Sequence, residues 1–500
     1  MVDTQPDDRI AFGTARARWV LAATALGSGM AFLDGTVVNV ALPAMGEDLG
    51  ADIAGLQWIV NGYMLMLASL ILLSGSLGDR LGRRRTFIAG VIWFALASLV
   101  CAVAPNLEVM IAGRVLQGIG GALLTPGSLA ILQTAFRPSD RAKAVGMWSG
   151  LTSVAAAVGP FVGGTLVDNG SWRLIFVINL PIAAVTVLVT LRHVPETRDE
   201  TMSGKLDVAG AVLATTGLAG LTFGLISAGD RGFGDALVLT SLVIGVLGLA
   251  AFVEVERRSS HPILPPGIFT SLRFTGANLV TVVVYGALGT ATFLLVVYLQ
   301  TALGYEALTA GAALLPMTLL MLTLSGYAGS LSERIGARIP MTVGPLFMAG
   351  GFLLMMNVEP GAKYLTAILP SVVVLGIGLV CTVAPLTATV LSSVEDHHAG
   401  VASGVNNAVA RSAQLMAVAA IPLAAGITGD SYRDPAAFSD GFQMAMWISA
   451  GLAVAGAVLA WVTLGPAPQK PGERPHVYHR HCALESPPLS NCPSTASTSR

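Results

Sequence analysis

Charge is what this sequence most lacks. Of its 500 residues only 11% are Asp, Glu, Lys or Arg, against roughly a quarter in a soluble globular chain, so the water-facing surface of an ordinary globular enzyme cannot be assembled from it. Cysteine is scarce too. The four residues, Cys101, Cys381, Cys482 and Cys492, are too scattered for a disulfide framework or a zinc site. No Gly-x-x-x-x-Gly-Lys-Ser/Thr run is present and no hydrophilic stretch is long enough for an ATPase domain, which excludes an engine driven by nucleotide hydrolysis. No Cys/His spacing suits a metal ion. His397 and His398, beside Glu395 and Asp396, read as a short solvated turn, with pH sensing or metal contact as the alternative. A net charge of −1 offers no general attraction to nucleic acid.

What the sequence has in abundance is apolar length. Hydrophobic types make up 54% of it and the mean hydropathy is +0.72, which places the chain in a bilayer. Lipid leaves no water for exposed backbone, so each crossing needs an unbroken helix of about 20 apolar residues. Fourteen such runs can be counted: 19–43, 56–78, 86–104, 108–131, 143–167, 173–191, 208–228, 235–253, 274–299, 308–331, 339–358, 364–390, 400–427 and 441–464. The first reads as a span and not as a cleaved leader, since no small-residue cleavage site precedes Pro43. The runs divide the chain into a segment 1–18, a six-helix bundle 19–191, two extra helices with their linkers 192–273, a second six-helix bundle 274–464 and a polar tail 465–500 expected to be disordered.

Orientation follows from lysine and arginine. With the N-terminus inside, 22 of the 28 fall on the cytoplasmic side, four (Arg173, Arg231, Lys363 and Arg433) fall outside, and Arg114 and Arg411 lie within spans. This asymmetry predicts a multi-pass protein of the cell membrane with both termini cytoplasmic.

A repeat organises the spans. Gly75-Ser76-Leu77-Gly78-Asp79-Arg80-Leu81-Gly82-Arg83-Arg84, after the second run, returns as Gly329-Ser330-Leu331-Ser332-Glu333-Arg334-Ile335-Gly336-Ala337-Arg338 after the tenth, with six identities and one acidic match. A weaker echo pairs Gly118-Ile119-Gly120 and Pro126 with Gly376-Ile377-Gly378 and Pro385. Two parallel halves imply a pseudo-two-fold axis along the membrane normal and a cavity between them.

At these residues the chain resembles the major facilitator superfamily, and within it the fourteen-span drug:proton antiporter family. Gly75 to Arg85 is similar to the superfamily's loop signature, Arg114 to Gly120 to its fourth-span motif, and Gly159-Pro160-Phe161-Val162-Gly163-Gly164 to the fifth-span motif of exporters. Leu33 to Pro43, with Trp58 and Tyr63, resembles the first two spans of the fourteen-span group, and Trp172-Arg173 with Phe176, Asn179 and Pro181 its sixth. The resemblance covers about 15–464 and is most specific in the first half. It implies an all-α integral membrane protein with the major facilitator fold, two six-helix bundles plus two additional helices.

Several residues stand out chemically. Asp34 is the one acidic residue deep in a run, about 22 Å along the helix from Trp19. Burial disfavours a charged carboxyl and a nearby arginine favours it, so a carboxyl moved between such surroundings takes up and releases a proton. The plainer reading is a buried polar cap. Arg114 lies at a compatible depth and reads either as a static partner of Asp34 or, as the resemblance implies, as a participant in proton transfer; Gln117 follows on the same helix face. The loop residues Gly75, Asp79, Arg80, Gly82 and Arg83, with Glu333 and Arg334 in the second copy, form a conformational latch by resemblance and a headgroup anchor by composition. Gly159, Pro160, Gly163 and Gly164 suit a hinge and a close helix contact, or routine packing. Arg411 lies mid-span with no intramembrane acid in its half; a structural role, Asp34 or an anionic part of a substrate are its candidate partners. Asn39, Trp58, Asn61, Tyr63, Asn278, Asn406, Asn407 and Gln414 complete the candidate lining of a substrate cavity.

The expected function is therefore a proton-coupled secondary active exporter, an antiporter, of amphiphilic drugs or antibiotics by alternating access. The resemblance supplies the proton as coupling ion. Neither enzymatic activity nor a cofactor is expected, and the partners are amphiphilic small molecules and membrane lipids. With Asp34 as the lone intramembrane acid, neutral, monocationic or zwitterionic compounds fit better than dications. An exporter or flippase of lipids or lipid-linked metabolites is the alternative, and a non-transporting receptor or scaffold a third, disfavoured by the repeat and by Asp34.

Overall fold

A computed structural model describes residues 9–198, 206–259, 262–395 and 399–465. The first bundle holds α1 (Ala15–Leu49), α2 (Ile53–Leu81), α3 (Arg83–Ala102), α4 (Leu107–Ala135), α5 (Arg141–Asn169), α6 (Leu174–Val177) and α7 (Asn179–His193). A hairpin of α8 (Val208–Arg231) and α9 (Ala236–Arg258) follows. The second bundle holds α10 (Leu272–Thr301), α11 (Ala307–Ala312), α12 (Leu315–Ile335), α13 (Arg338–Met355), α14 (Leu369–Ser392), α15 (Ala399–Ala424) and α16 (Pro435–Thr463). Because α6 leads into α7 and α11 into α12, these make fourteen passes. Among the described residues thirteen passes are long and apolar enough to cross a membrane on those grounds alone. The fourteenth is α15, whose Asn406, Asn407, Arg411 and Gln414 interrupt its apolar sequence.

Three of the apolar runs are not single regular helices, and each irregularity has a proline just beyond it. The sixth pass breaks at Ile178, three residues before Pro181. The tenth breaks between α11 and α12, ahead of Pro316. The twelfth opens with a π turn at Tyr364–Ile368, ahead of Pro370. A proline has no N–H for the carbonyl four residues back, so the regular ladder cannot run through that point.

The two bundles pack pair for pair. Contacts of α1 with α5 and α7, of α2 with α4, and of α3 with α4 and α7 are repeated by α10 with α15 and α16, α12 with α14, and α13 with α14 and α16. The glycine echo has the same purpose in both copies. A side chain at Gly118 or Gly376 would strike the backbone of α2 at Tyr63 or of α12 at Met317, and one at Gly120 or Gly378 would strike α3 at Phe94 or α13 at Met348. Gly82 and Gly336, matched in the loop repeat, both end their helices with positive φ, +108° and +83°, where a side chain would be strained. The α8–α9 hairpin lies against α2 and α15, bridging one flank of both bundles.

One end of the molecule carries the basic loops around Arg80–Arg85, Arg141–Lys143 and Arg334–Arg338. The bundles are tied together at the opposite end. There Gln300 Nε2 donates to the Val40 carbonyl (2.9 Å), Gln57 Nε2 to that of Val418 (2.6 Å), and Tyr432 and Arg433 to that of Ala51 (2.8 and 3.0 Å). Toward the basic end α2 and α15 stay in contact, with Leu72 against Gly404. Met147, Leu151 and Val154 on α5 and Leu322, Tyr327 and Leu331 on α12 are exposed apolar side chains.

Candidate functional site

The densest polar cluster in the apolar interior forms where α1, α2, α3, α4 and α7 meet. Asp34 on α1 and Arg114 on α4 are in direct contact, Nη1 to Oδ2 at 2.6 Å, with each side chain only 1% exposed. Arg114 Nε also donates to the Ile59 carbonyl (3.0 Å), and its Nη1 to Gln117 Oε1. Gln117, one turn along α4, donates from Nε2 to Asp34 Oδ1 (2.8 Å) and to Ser98 Oγ (2.9 Å). Asn179, the first residue of α7, donates to the same Asp34 oxygen (3.4 Å) and to Ser98 (3.3 Å). The guanidinium lies over the Tyr63 ring, 4.6 Å from its centroid. Both carboxylate oxygens are thus occupied, and the pair is enclosed within the first bundle.

Asp34, Arg114, Gln117 and Tyr63 are brought together by the fold. Ser98 and Asn179 belong to the same cluster although sequence reasoning gave them no role. Their signal was a polar residue inside an apolar run, which serine and asparagine share with many helix positions that bond only their own backbone.

The other cavity candidates scatter. Trp58 faces α8, with its ring 6.1 Å from Phe223. Asn278 and Asn406 bond each other at 3.1 Å, and Asn406 also reaches Thr281 (2.8 Å), so α10 and α15 share one buried polar contact. Asn407 is exposed and returns to the Ser403 carbonyl of its own helix. Asn39 is half-buried. Asn61 is fully buried, and its amide has no hydrogen-bond partner among the described residues. Arg411 is half-buried on α15 and donates to Gln414, one turn on, at 3.4 Å; Gln414 in turn packs on Gly289 of α10.

At the basic end, Asp79 in the last turn of α2 pairs with Arg83, the first residue of α3, at 2.6 Å. Glu196, beyond α7, accepts from the Arg84 backbone N–H (3.1 Å), stands 3.7 Å from the Arg84 and Arg85 guanidinium groups, and fills the space beside Gly82. The space beside Gly75 is open and Gly78 meets only Thr86 at 4.0 Å, so Gly82 alone needs to lack a side chain. Arg80 lies in the last turn of α2, and Glu333 and Arg334 in that of α12. His397 and His398 fall outside the described residues.

At the opposite end, the α5 glycines permit close helix contacts, two with α1 of the same bundle and one with α11 of the second bundle. A side chain at Gly159 would overlap Thr36 and one at Gly163 would press on Val37, both on α1; at Gly164 it would overlap the Leu308 backbone of α11. Pro160 packs against Gly311. Asp168, one turn beyond Gly164, accepts from the backbone N–H groups of Ala307 (3.1 Å) and Leu308 (2.9 Å). Sequence reasoning missed Asp168, because an acidic residue at a helix end carries no sign of a partner 139 positions away.

Two bundles related by repeat, an ion pair buried within the first of them and a glycine-mediated contact between them at one end fit a transporter. Residues 24–418 match the family model described as Major Facilitator Superfamily. The chain belongs to that superfamily. It is a transporter and not an enzyme. Over 464 residues it is 35% identical to the puromycin resistance protein pur8 of Streptomyces alboniger, covering 90% of this chain and 92% of that protein. It is 33% identical to the tetracenomycin C resistance and export protein of Streptomyces glaucescens, covering 83% of this chain and 77% of the other. With the cephamycin export protein CmcT of Amycolatopsis lactamdurans it shares 35% identity over 79% and 82% of the two chains. Among solved structures, a POT family transporter in complex with a thioalcohol-conjugated peptide superposes with TM-score 0.67 at 14% identity, covering 90% of this chain and 96% of that one. A bacterial homolog of the human lysosomal transporter Spinster gives 0.62 at 18%, covering 90% and 97%. At such identities the likeness is one of fold.

Proposed function

We propose that this protein is a proton-coupled exporter of amphiphilic drugs or antibiotics, working by alternating access with the basic end in the cytoplasm. The observation that carries the coupling is the enclosed Asp34–Arg114–Gln117 cluster. The Asp34 carboxylate accepts from one guanidinium and two amides, so a helix movement that parts α1 from α4 exchanges its surroundings. Such an exchange is the means by which a carboxyl can be made to take up a proton in one state and release it in the other. Resistance and export proteins that match this chain over most of its length support the direction and the class of cargo. With the arginine-rich loops inside, the end where Gln300, Gln57, Tyr432 and Arg433 tie the bundles faces out, so opening to the cytoplasm leaves those ties in place.

A second reading, export of lipids or lipid-linked metabolites by the same cycle, has one observation in its favour. An apolar recess of about 590 Å³ lies between the α8–α9 hairpin and the second bundle, lined by Leu72, Leu218, Phe252, Val283, Val409 and Met416 among others. Everted membrane vesicles containing the full chain separate the two. Accumulation of an amphiphilic dye against its gradient, abolished when the pH gradient is collapsed, is the expected result. Movement of headgroup-labelled lipid without dye transport would replace the first reading with the second.

A further inference from the structure

The sequence alone left Arg411 without a partner, and the fold shows which charges surround it. It lies about 18 Å along α15 from Ala399. Gln57 of α2 meets Val418 and Leu72 of α2 meets Gly404, and Arg411 lies midway between those two positions on the same face of α15. Arg411 thus faces the first bundle across the α2–α15 contact, level with the stretch of α2 just beyond Tyr63 and so near the level of the buried cluster. Among the described residues no carboxylate pairs with it, and its Nη1 finds only Gln414 Oε1 at 3.4 Å.

The charge balance there decides what the region attracts. Asp34 and Arg114 cancel, and both oxygens of Asp34 are already engaged by Arg114, Gln117 and Asn179. An arriving cation finds no free carboxylate in this state. Arg411 leaves one unmatched positive charge mid-membrane, where low dielectric strengthens its field. A guanidinium presents a planar fork of donors that suits an oxyanion better than any neutral group. The apolar residues of α10 and α15 supply surface for a hydrophobic body.

We infer that Arg411 is a specificity-determining residue that selects amphiphilic compounds bearing a carboxylate or similar oxyanion, held between α15, α10 and α2. Neutral, monocationic and zwitterionic cargo was expected while Asp34 counted as an open charge; its engagement by Arg114 turns the preference toward anions. The inference rests on the exporter reading for its site, but it concerns binding and is tested by binding.

The probes are pyrenebutyrate and its uncharged methyl ester, titrated by fluorescence anisotropy into the purified full-length protein, with melting temperature recorded for each variant. Wild type should bind the acid more tightly than the ester. R411Q should lose roughly tenfold or more in affinity for the acid and keep the ester within about twofold, while R411K, which retains the charge, should recover part of the loss. Equal affinity of wild type for acid and ester, or an R411Q that binds the acid normally, would overturn the proposal. So would parallel loss of both probes with a lowered melting temperature in both variants, which marks a structural arginine. Dihexanoyl phosphatidylglycerol tests the source of the oxyanion: displacement of the acid at equal concentration would assign the site to lipid headgroups against soluble cargo. A wild type that prefers the acid yet moves nothing in vesicles would sink the exporter reading alone.

Discussion

At the scale of single residues, the Asp34–Arg114 pair is where coupling chemistry and stability meet. Asparagine keeps the shape of Asp34 but cannot titrate, so D34N should insert and bind substrate while losing pH-driven uphill export. A reconstituted D34N that drives export at the native rate would remove Asp34 from the mechanism. R114Q strands a buried carboxylate among Gln117, Ser98 and Asn179, which should destabilise the protein by roughly 3–5 kcal/mol. Removing both charges in D34N/R114Q should restore most of that stability without restoring export, read as melting temperature in detergent beside proton release on substrate addition. Normal proton release in R114Q would leave Arg114 a purely structural residue. Both positions were legible in the sequence, because an intramembrane charge is expensive enough to require a reason. Ser98 and Asn179 were not, because their importance lies in which carboxylate they reach.

At the scale of elements, closure away from the basic loops depends on α5 meeting α11. Two backbone N–H groups of α11 are held by one carboxylate, Asp168, and Gly164 lets the two helices touch. A charge-assisted hydrogen bond contributes about 1.5–3 kcal/mol, so D168A should shift the resting population toward opening at this end by roughly tenfold or more. The measurement is the alkylation rate of a cysteine placed at Val40, which is buried against Val296 and Ala307. D168A should raise that rate and Gly164→Leu should raise it further by wedging the seam. Protection equal to the parent in both variants would show that closure rests on other contacts, such as Gln300 with Val40. The glycine-rich motif on α5 was visible as a pattern; its partner helix became known only when the second bundle was folded against the first.

At the scale of the whole molecule, the distribution of lysine and arginine orients every pass at once. In a background with the four native cysteines replaced by serine, Asp230→Cys at the end of α8 should react readily with an impermeant thiol reagent in intact cells. Thr201→Cys should stay protected until the membrane is opened. The reverse pattern would invert the molecule and place the tied end in the cytoplasm. Such a test reads orientation directly, since the fold is equally satisfied with either end up and only the charges break the symmetry.

Apolar run length and the loop repeat were enough to specify fourteen passes in two related halves. Both are local properties: each helix must satisfy its own backbone in lipid, the matched Gly82 and Gly336 end their helices, and Gly118 and Gly120 meet their neighbours as Gly376 and Gly378 do in the second bundle. The prolines behind the broken sixth, tenth and twelfth passes were equally readable, although their consequences were not drawn from the apolar pattern alone. The tertiary structure decided what each polar side chain meets. It turned Trp58 toward the extra hairpin, paired Asn278 with Asn406, enclosed Asp34 with Arg114 and, among the described residues, left Arg411 without a carboxylate partner. Helix rotation and the choice of neighbouring helix set those contacts, and both depend on packing between segments hundreds of residues apart.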